Sequence, residues 1–218
     1  ISLCMIVKDE EKVLDTCLNS IHDLVDEIII VDTGSTDKTK EIAQKYTDKI
    51  YDFKWVDDFA KARNYSFSKA TKDYIMWLDA DDYLPEEEKP KFKKLKKSLN
   101  DTVDMYTMIY IYSRDKNGMP TYVQRKYRLL KRKNNYQWES PIHEFIKPKG
   151  KIVTTDITII HNKIHVNDPN RNLRIFEKMI KENHKFTIRE QYCYADALYR
   201  NRNYQKAIEL FEEFVAKT

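Results

Sequence analysis

The first hundred residues alternate short apolar runs with segments of helical period, a rhythm that restricts the chain to βα units around a largely parallel sheet. Ser2 to Val7, Glu27 to Val31, Lys49 to Phe53 and Tyr74 to Leu78 read as strands. Between them, Val13, Leu14, Cys17, Leu18 and Ile21 form one helical stripe, Ile42, Ala43 and Tyr46 mark a second helix, and Phe59 to Ala70 gives a third. Ser35-Thr36-Asp37 offers N-caps for the second of these. The strand ending at Leu78 runs without a spacer into Asp79-Ala80-Asp81-Asp82. Parallel α/β sheets bind ligands beyond the carboxyl ends of their strands. That junction, Lys8-Asp9-Glu10 after the first strand and Asp32 to Asp37 after the second are therefore candidate sites.

The βα rhythm stops near residue 100. Phe92, Leu95 and Leu99 define a helix behind Pro85 and Pro90, and its lysines read as a solvated outer face. Met105 to Tyr112 and Tyr122 to Leu130 flank Asn117-Gly118, a hairpin signal. Thr155 to Ile160 reads as a strand ended by His161, and from Pro169 onward the pattern is helical. There Ala195, Leu198, Tyr204, Ala207 and Phe211 approximate tetratricopeptide spacing without its usual Trp and Gly; an ordinary helical pair is the alternative.

Composition narrows the class. With 41% hydrophobic and 34% charged residues, and 15 Tyr, 9 Phe and 3 Trp, the chain can pack a core, which excludes fibrous and disordered classes. A net charge of +4 is too balanced to imply a nucleic-acid partner. No apolar run reaches the roughly 18 residues of a membrane span, and Ile1 to Val7 meets charged residues too early for a signal peptide, so a cytoplasmic location is expected. Opening on Ile1 rather than Met suggests that leading residues are missing. Cys4, Cys17 and Cys193 are expected to be reduced core residues.

Carboxylates crowded at one strand end repel one another unless a cation or hydrogen-bond donors neutralise them, and alternate Asp residues offer oxygen ligands to Mg²⁺ or Mn²⁺. A metal bridging two substrate phosphates is the natural occupant; for an isolated DxD, a solvated acidic turn is the alternative.

Cys4 to Glu11, Val31 to Asp37, Ala62-Arg63-Asn64, Trp77 to Asp82 and Ile142-His143-Glu144 occur in this order. Together they resemble glycosyltransferase family 2 over roughly residues 1 to 165, in the subgroup with a tetratricopeptide-like extension. The resemblance implies a GT-A fold over 1–165, followed by a helical segment, 166–218, that begins a repeat region. It implies a metal-dependent, inverting glycosyltransferase that moves a sugar from a nucleotide diphosphate donor, a UDP-sugar in most relatives, to a protein, peptide or glycan acceptor. Asp32 would hydrogen-bond the base, Val7, Asp9 and Glu10 would line the nucleoside pocket, and Arg63 would face the nucleotide or its phosphates. Asp79, with Ala80 beside it, would contact the ribose or orient the metal shell, and Asp81 would ligate Mn²⁺ or Mg²⁺. His161 would be a further metal or diphosphate contact, with His165 in a loop beyond it. Glu144 would be the general base, His143 the second choice and Asp82 the next.

Other readings remain. A noncatalytic adaptor on a degenerate sugar-nucleotide fold fits the helical tail. A sugar nucleotidyltransferase would need a Gly-rich basic loop where Lys8-Asp9-Glu10-Glu11 stands, and an Asp-nucleophile phosphatase would not have Asp82-Tyr83 after its Asp pair. Gln124 to Arg128 and Lys131 to Lys133 form a basic stretch that could hold phosphates or an acidic acceptor, although strand alternation would separate its charges.

Overall fold

The computed structural model describes residues 1–162, 168 and 170–217. It is a mixed α/β structure whose central sheet has eight strands. The strands with expected βα rhythm come first: β1 (Ser2–Val7), β2 (Glu27–Asp32), β3 (Ile50–Asp52) and β4 (Tyr74–Trp77). They pair in parallel in the order β3-β2-β1-β4. Helices α1 (Leu14–Ile21), α2 (Thr39–Gln44) and α3 (Phe59–Ser68) connect them in turn, since parallel neighbours need a crossover rather than a tight turn. The sheet continues through β5 (Asp82–Tyr83), β6 (Met105–Arg114), β7 (Pro120–Lys131) and β10 (Ile152–His161), in the order β4-β7-β6-β10-β5. Here β6 and β10 are parallel, while β7 and β5 run antiparallel to their neighbours. Two short strands, β8 (Trp138–Glu139) and β9 (Phe145–Ile146), form a separate two-stranded sheet.

The core follows from the sequence pattern. Strands β1 and β2 are buried on both faces, so they read as continuous apolar runs, and Leu3, Met5, Ile30 and Met76 pack with Leu14, Leu18 and Ile21 of α1. On α4 (Lys89–Ser98) Phe92 is buried, while the lysines face outward and meet acids, Lys96 with Asp26 and Lys91 with Glu88. The expected Asn117-Gly118 turn closes β6 onto β7: the Gly118 amide donates to Asp115 O at 3.0 Å, and Gly118 takes φ +81°, which favours glycine. Expected capping of α2 is displaced. Lys38 holds the N-cap position, and Asp37 instead accepts from the Thr39 amide and hydroxyl.

Glu27 is a buried carboxylate at the start of β2. It accepts hydrogen bonds from the Ser2 hydroxyl, from the Thr71 amide and hydroxyl (both 2.9 Å), and from Lys49 Nζ at 2.5 Å. Burial alone would raise its pKa, but the bonds from Lys49, Ser2 and Thr71 outweigh it and bring the value down to about 2 from an ordinary 4.5. A lowered native pKa stabilises the fold above the unfolded value, and that contribution fades as pH falls from about 4.5 toward 2. Glu27→Ala is expected to cost about 3 kcal/mol at pH 7, because it strands buried donors. Urea melts at pH 7 and pH 3 check this: the wild type should lose stability between them that the variant has already lost.

The chain divides into two compact units. The first comprises Ile1–Trp55, Lys61–Trp138 and Ile146–Ile164, and the second Val56–Ala60, Glu139–Phe145 and His165–Thr218. The second unit holds α5 (Arg171–Lys181), α6 (Ile188–Arg200) and α7 (Tyr204–Lys217), with α6 packed on both others. A capping box starts α6: Thr187 Oγ1 accepts from the Glu190 amide, and Glu190 accepts from the Thr187 amide. Ala195, Leu198 and Ala207 are buried, as either a repeat unit or an ordinary helical pair requires, whereas Tyr204 is 51% exposed. Cys4 and Cys17 are buried free thiols; Cys193 is only half-buried. Among the described residues, no helix is long and apolar enough to cross a membrane.

Candidate functional site

In the first unit the loops after β1 and β2 are laced together. The Asp9 amide donates to Ser35 Oγ (3.0 Å), the Glu10 amide to Thr39 Oγ1 (2.7 Å), and the Thr36 amide returns to Asp9 Oδ1 (2.7 Å). Asp9 adopts φ +54° there, a conformation Asp tolerates better than most residues. Thr33 ties the two strands at their carboxyl ends through Val7 O. The Asp32 side chain is fully buried. Its Oδ1 accepts from the Gly34 and Ser35 amides, both at 2.9 Å, while Oδ2 has no hydrogen-bond partner among the described residues. Gly34 takes φ +107°, and a Cβ there would meet nothing within 4 Å, so conformation rather than space reserves the position for glycine. Val7, Asp9, Glu10 and Asp32 are thus brought together as expected.

The second cluster is the Asp79–Asp82 turn after β4. Asp82 closes it from both sides, donating its amide to Asp79 O (3.0 Å) and accepting the Asp79 amide at Oδ2 (3.1 Å). Because β5 pairs with β10 so that Asp82 faces His161, the imidazole is delivered to the turn: His161 Nδ1 lies 3.4 Å from Asp81 Oδ1 and 3.6 Å from Asp82 Oδ1. The Asn162 amide adds a bond to Asp81 O. Arg63, on α3, contacts Asp79 Oδ1 at 2.6 Å, with its guanidinium against the rings of both Trp77 and Trp138. Ala80 is buried within the turn.

Asp81, Asp82 and His161 can each present a ligand atom within 4.8 Å of the others. Two carboxylates and an imidazole suit Mn²⁺ or Mg²⁺. His161 Nδ1 is buried with no hydrogen-bond partner among the described residues, so the site fits a cation on Asp81 and His161. Asp82 is already neutralised, since Arg128 Nη2 lies 2.8 Å from its Oδ2 and the Tyr110 hydroxyl donates to its Oδ1 at 2.9 Å. A fully buried carboxylate so engaged cannot serve as the reserve base expected of it.

The electrostatics describe a crowded anionic pocket. Burial, and then the charges of Asp81, Asp79, Asp37 and Asp9, push Glu10 up to about 7. Burial also raises Asp79, but the Arg63 and then Arg128 guanidiniums reverse this and hold it below the usual range. For His161, burial favours the neutral ring, yet Asp81 and Asp82 hold its pKa up at about 9.

His143 and Glu144 belong to the second unit. His143 sits at φ +53° with its ring stacked on Phe176, centroids 6.5 Å apart. Burial, then Arg189, lowers its pKa against the opposing charges of Glu144 and Asp196. Glu144 also faces Arg171, whose guanidinium lies over Phe59. His165 lies outside the described residues. Sequence reasoning missed Trp77, Tyr110, Trp138 and Arg128 as supports of the site. The only sequence signal for Arg128 was its position directly before the apolar Leu129-Leu130 pair of β7, at the end of a basic stretch.

The family model described as Glycosyl transferase family 2 matches residues 2–165. The chain is 37% identical over 146 residues to a TPR repeat-containing protein of Synechococcus elongatus, covering 67% of this chain and 35% of that protein. It is 39% identical over 97 residues to the prophage-derived glycosyltransferase SunS of Bacillus subtilis, covering 44% of this chain and 23% of SunS. The match thus spans about a third or less of the length of these curated relatives. The fold is similar to the crystal structure of glucosyl-3-phosphoglycerate synthase from Mycobacterium tuberculosis in complex with Mn²⁺ and UDP-glucose. That likeness has TM-score 0.54 and 14% identity, and covers 91% of this chain and 78% of the synthase.

Proposed function

Because this chain belongs to glycosyltransferase family 2, whose model spans most of its length, we propose that it transfers a sugar from a UDP-sugar to an acceptor with inversion at the anomeric carbon. The observation that carries the reading is the pairing of two features at the carboxyl ends of β2 and β4, the two strands that flank β1. One is the buried, unpartnered Asp32 Oδ2, suited to accept the imide N–H of uracil; the other is the Asp81 and His161 pair, suited to hold Mn²⁺ or Mg²⁺. The complex named for the mycobacterial synthase supports both donor and cation. When bound, the cation would offset the diphosphate charge and stabilise the leaving group.

The chain's own residues do the rest. The laced backbone from Val7 to Glu10 lines the nucleoside, and Asp32 selects the base. Arg63 fixes Asp79 beside the ribose and adds positive charge near the diphosphate. The Glu144 carboxylate takes the proton from the acceptor hydroxyl as that oxygen attacks the anomeric carbon, opposite the departing diphosphate oxygen. His143, its pKa lowered, orients that carboxylate as a neutral ring. The acceptor is a protein, peptide or glycan. Residues 166–218 begin a tetratricopeptide-like region, a reading supported by the name of the cyanobacterial relative.

Titrations of UDP and CDP in the presence of Mn²⁺ test the base pocket. Asp32→Asn keeps an acceptor for the Gly34 and Ser35 amides but can turn an N–H toward the base. It is expected to weaken UDP at least about tenfold and to narrow the preference over CDP. Unchanged UDP affinity and preference would remove Asp32 from the pocket.

A further inference from the structure

The Asp79–Asp82 turn divides its carboxylates between two buried arginines. Arg63 pairs with Asp79 and Arg128 with Asp82, and both guanidiniums lie against the same indole, with Arg128 Cζ 3.9 Å and Arg63 Cζ 5.2 Å from the Trp77 ring centre. Arg128 is the largest fully buried side chain of the protein's described residues, closed on its other side by the Tyr110 ring at 4.6 Å. It is buried away from any ligand, so its effect on the site is carried by the groups it holds, Asp82 through the ion pair and Trp77 through its carbonyl, and by its charge near Asp79. Among the described residues no arginine pairs with Asp81, which instead faces His161.

We propose that Arg128 is a positioning residue for the cation site: by neutralising Asp82, it keeps the Asp79–Asp82 turn closed and so holds Asp81 opposite His161. The inference rests on the proposed role of Asp81 and His161 in holding a divalent cation. Its physical basis is the double use of Asp82 Oδ2, which forms the ion pair with Arg128 Nη2 and accepts the hydrogen bond from the Asp79 amide. A buried carboxylate stripped of its counter-charge is strongly destabilised in place and swings toward water, which releases the Asp79 amide that closes the turn. Because β5 carries Asp82 opposite His161 on β10, the same movement changes the spacing of Asp81 and His161. Lysine cannot substitute. Its ammonium lacks the planar face that lies on Trp77 and the second nitrogen that donates to Trp77 O at 3.2 Å.

The test measures UDP affinity with and without Mn²⁺, and melting temperature, for wild type, Arg128→Lys and the double variant Asp82→Asn/Arg128→Met. The double variant removes both buried charges, so it is expected to regain much of the stability lost in the single variant. Arg128→Lys should retain metal-free UDP affinity but lose about 10- to 100-fold of the Mn²⁺ enhancement, the usual range for a residue supporting a metal ligand, whereas the double variant, whose uncharged amide can accept the Asp79 amide without a counter-charge, should keep most of it. A folded Arg128→Lys variant with the wild-type Mn²⁺ enhancement, or a folded double variant that loses about tenfold or more of it, would overturn the proposal and reduce Arg128 to a stability role. Absence of Mn²⁺ enhancement in the wild type itself would instead reject the cation reading, and the proposal with it. The two failures are therefore read from different proteins.

Discussion

Asp81→Ala is expected to abolish the Mn²⁺ enhancement of UDP binding, by at least about 100-fold or about 2.7 kcal/mol. The substitution removes a hard oxygen ligand and leaves His161 alone on its side of the site. It should not unfold the protein. The Asp81 side chain is not deeply buried, and its charge is one of those that push Glu10 upward, so its loss relieves repulsion. Calorimetric titration of UDP with and without Mn²⁺, beside a thermal melt, separates the two effects. Intact Mn²⁺ enhancement in a folded variant would remove Asp81 from the metal site. Asp79→Ala should behave differently, since it frees Arg63 from its partner and impairs binding while part of the metal effect survives.

Glu144→Gln is expected to lower turnover by about 10²- to 10⁴-fold while leaving donor affinity unchanged, because the amide keeps the carboxylate's shape but cannot take a proton. The corresponding barrier is about 3 to 5 kcal/mol. His143→Gln should cost less under the proposed assignment, in which His143 only orients the carboxylate and Glu144 takes the proton. Transfer rate at saturating acceptor, measured beside donor titration, checks both. Near-normal turnover in Glu144→Gln with loss in His143→Gln would transfer the role to His143.

What the sequence made legible was local. The parallel half of the sheet could be read because β1, β2 and β4 are short apolar runs separated by helical stripes, and the Asp79–Asp82 junction because it follows β4 directly. The Asn117-Gly118 hairpin was equally local. The missing parts depend on partners distant in sequence. Nothing around Asp82-Tyr83 announces a two-residue strand, since its existence depends on Ile160 and His161 lying across from it. Arg128 looked like one member of a basic stretch, but its burial is decided by Asp82, Trp77 and Tyr110 on other strands and turns. In the same way, Val56–Ala60 and Glu139–Phe145 join the C-terminal helices in one unit through contacts no local pattern carries, such as the bond from the Phe59 amide to Pro141 O.

The central claim, a sugar-nucleotide transferase with a cation at Asp81 and His161, is tested most directly by incubating the protein with a panel of UDP-sugars and Mn²⁺ and measuring released UDP. Slow transfer to water reports the donor without knowledge of the acceptor. The expected result is release of UDP from at least one donor, dependent on Mn²⁺ and absent in Asp81→Ala. A folded protein that releases no UDP from any of them, and binds UDP neither with nor without Mn²⁺, would contradict the account.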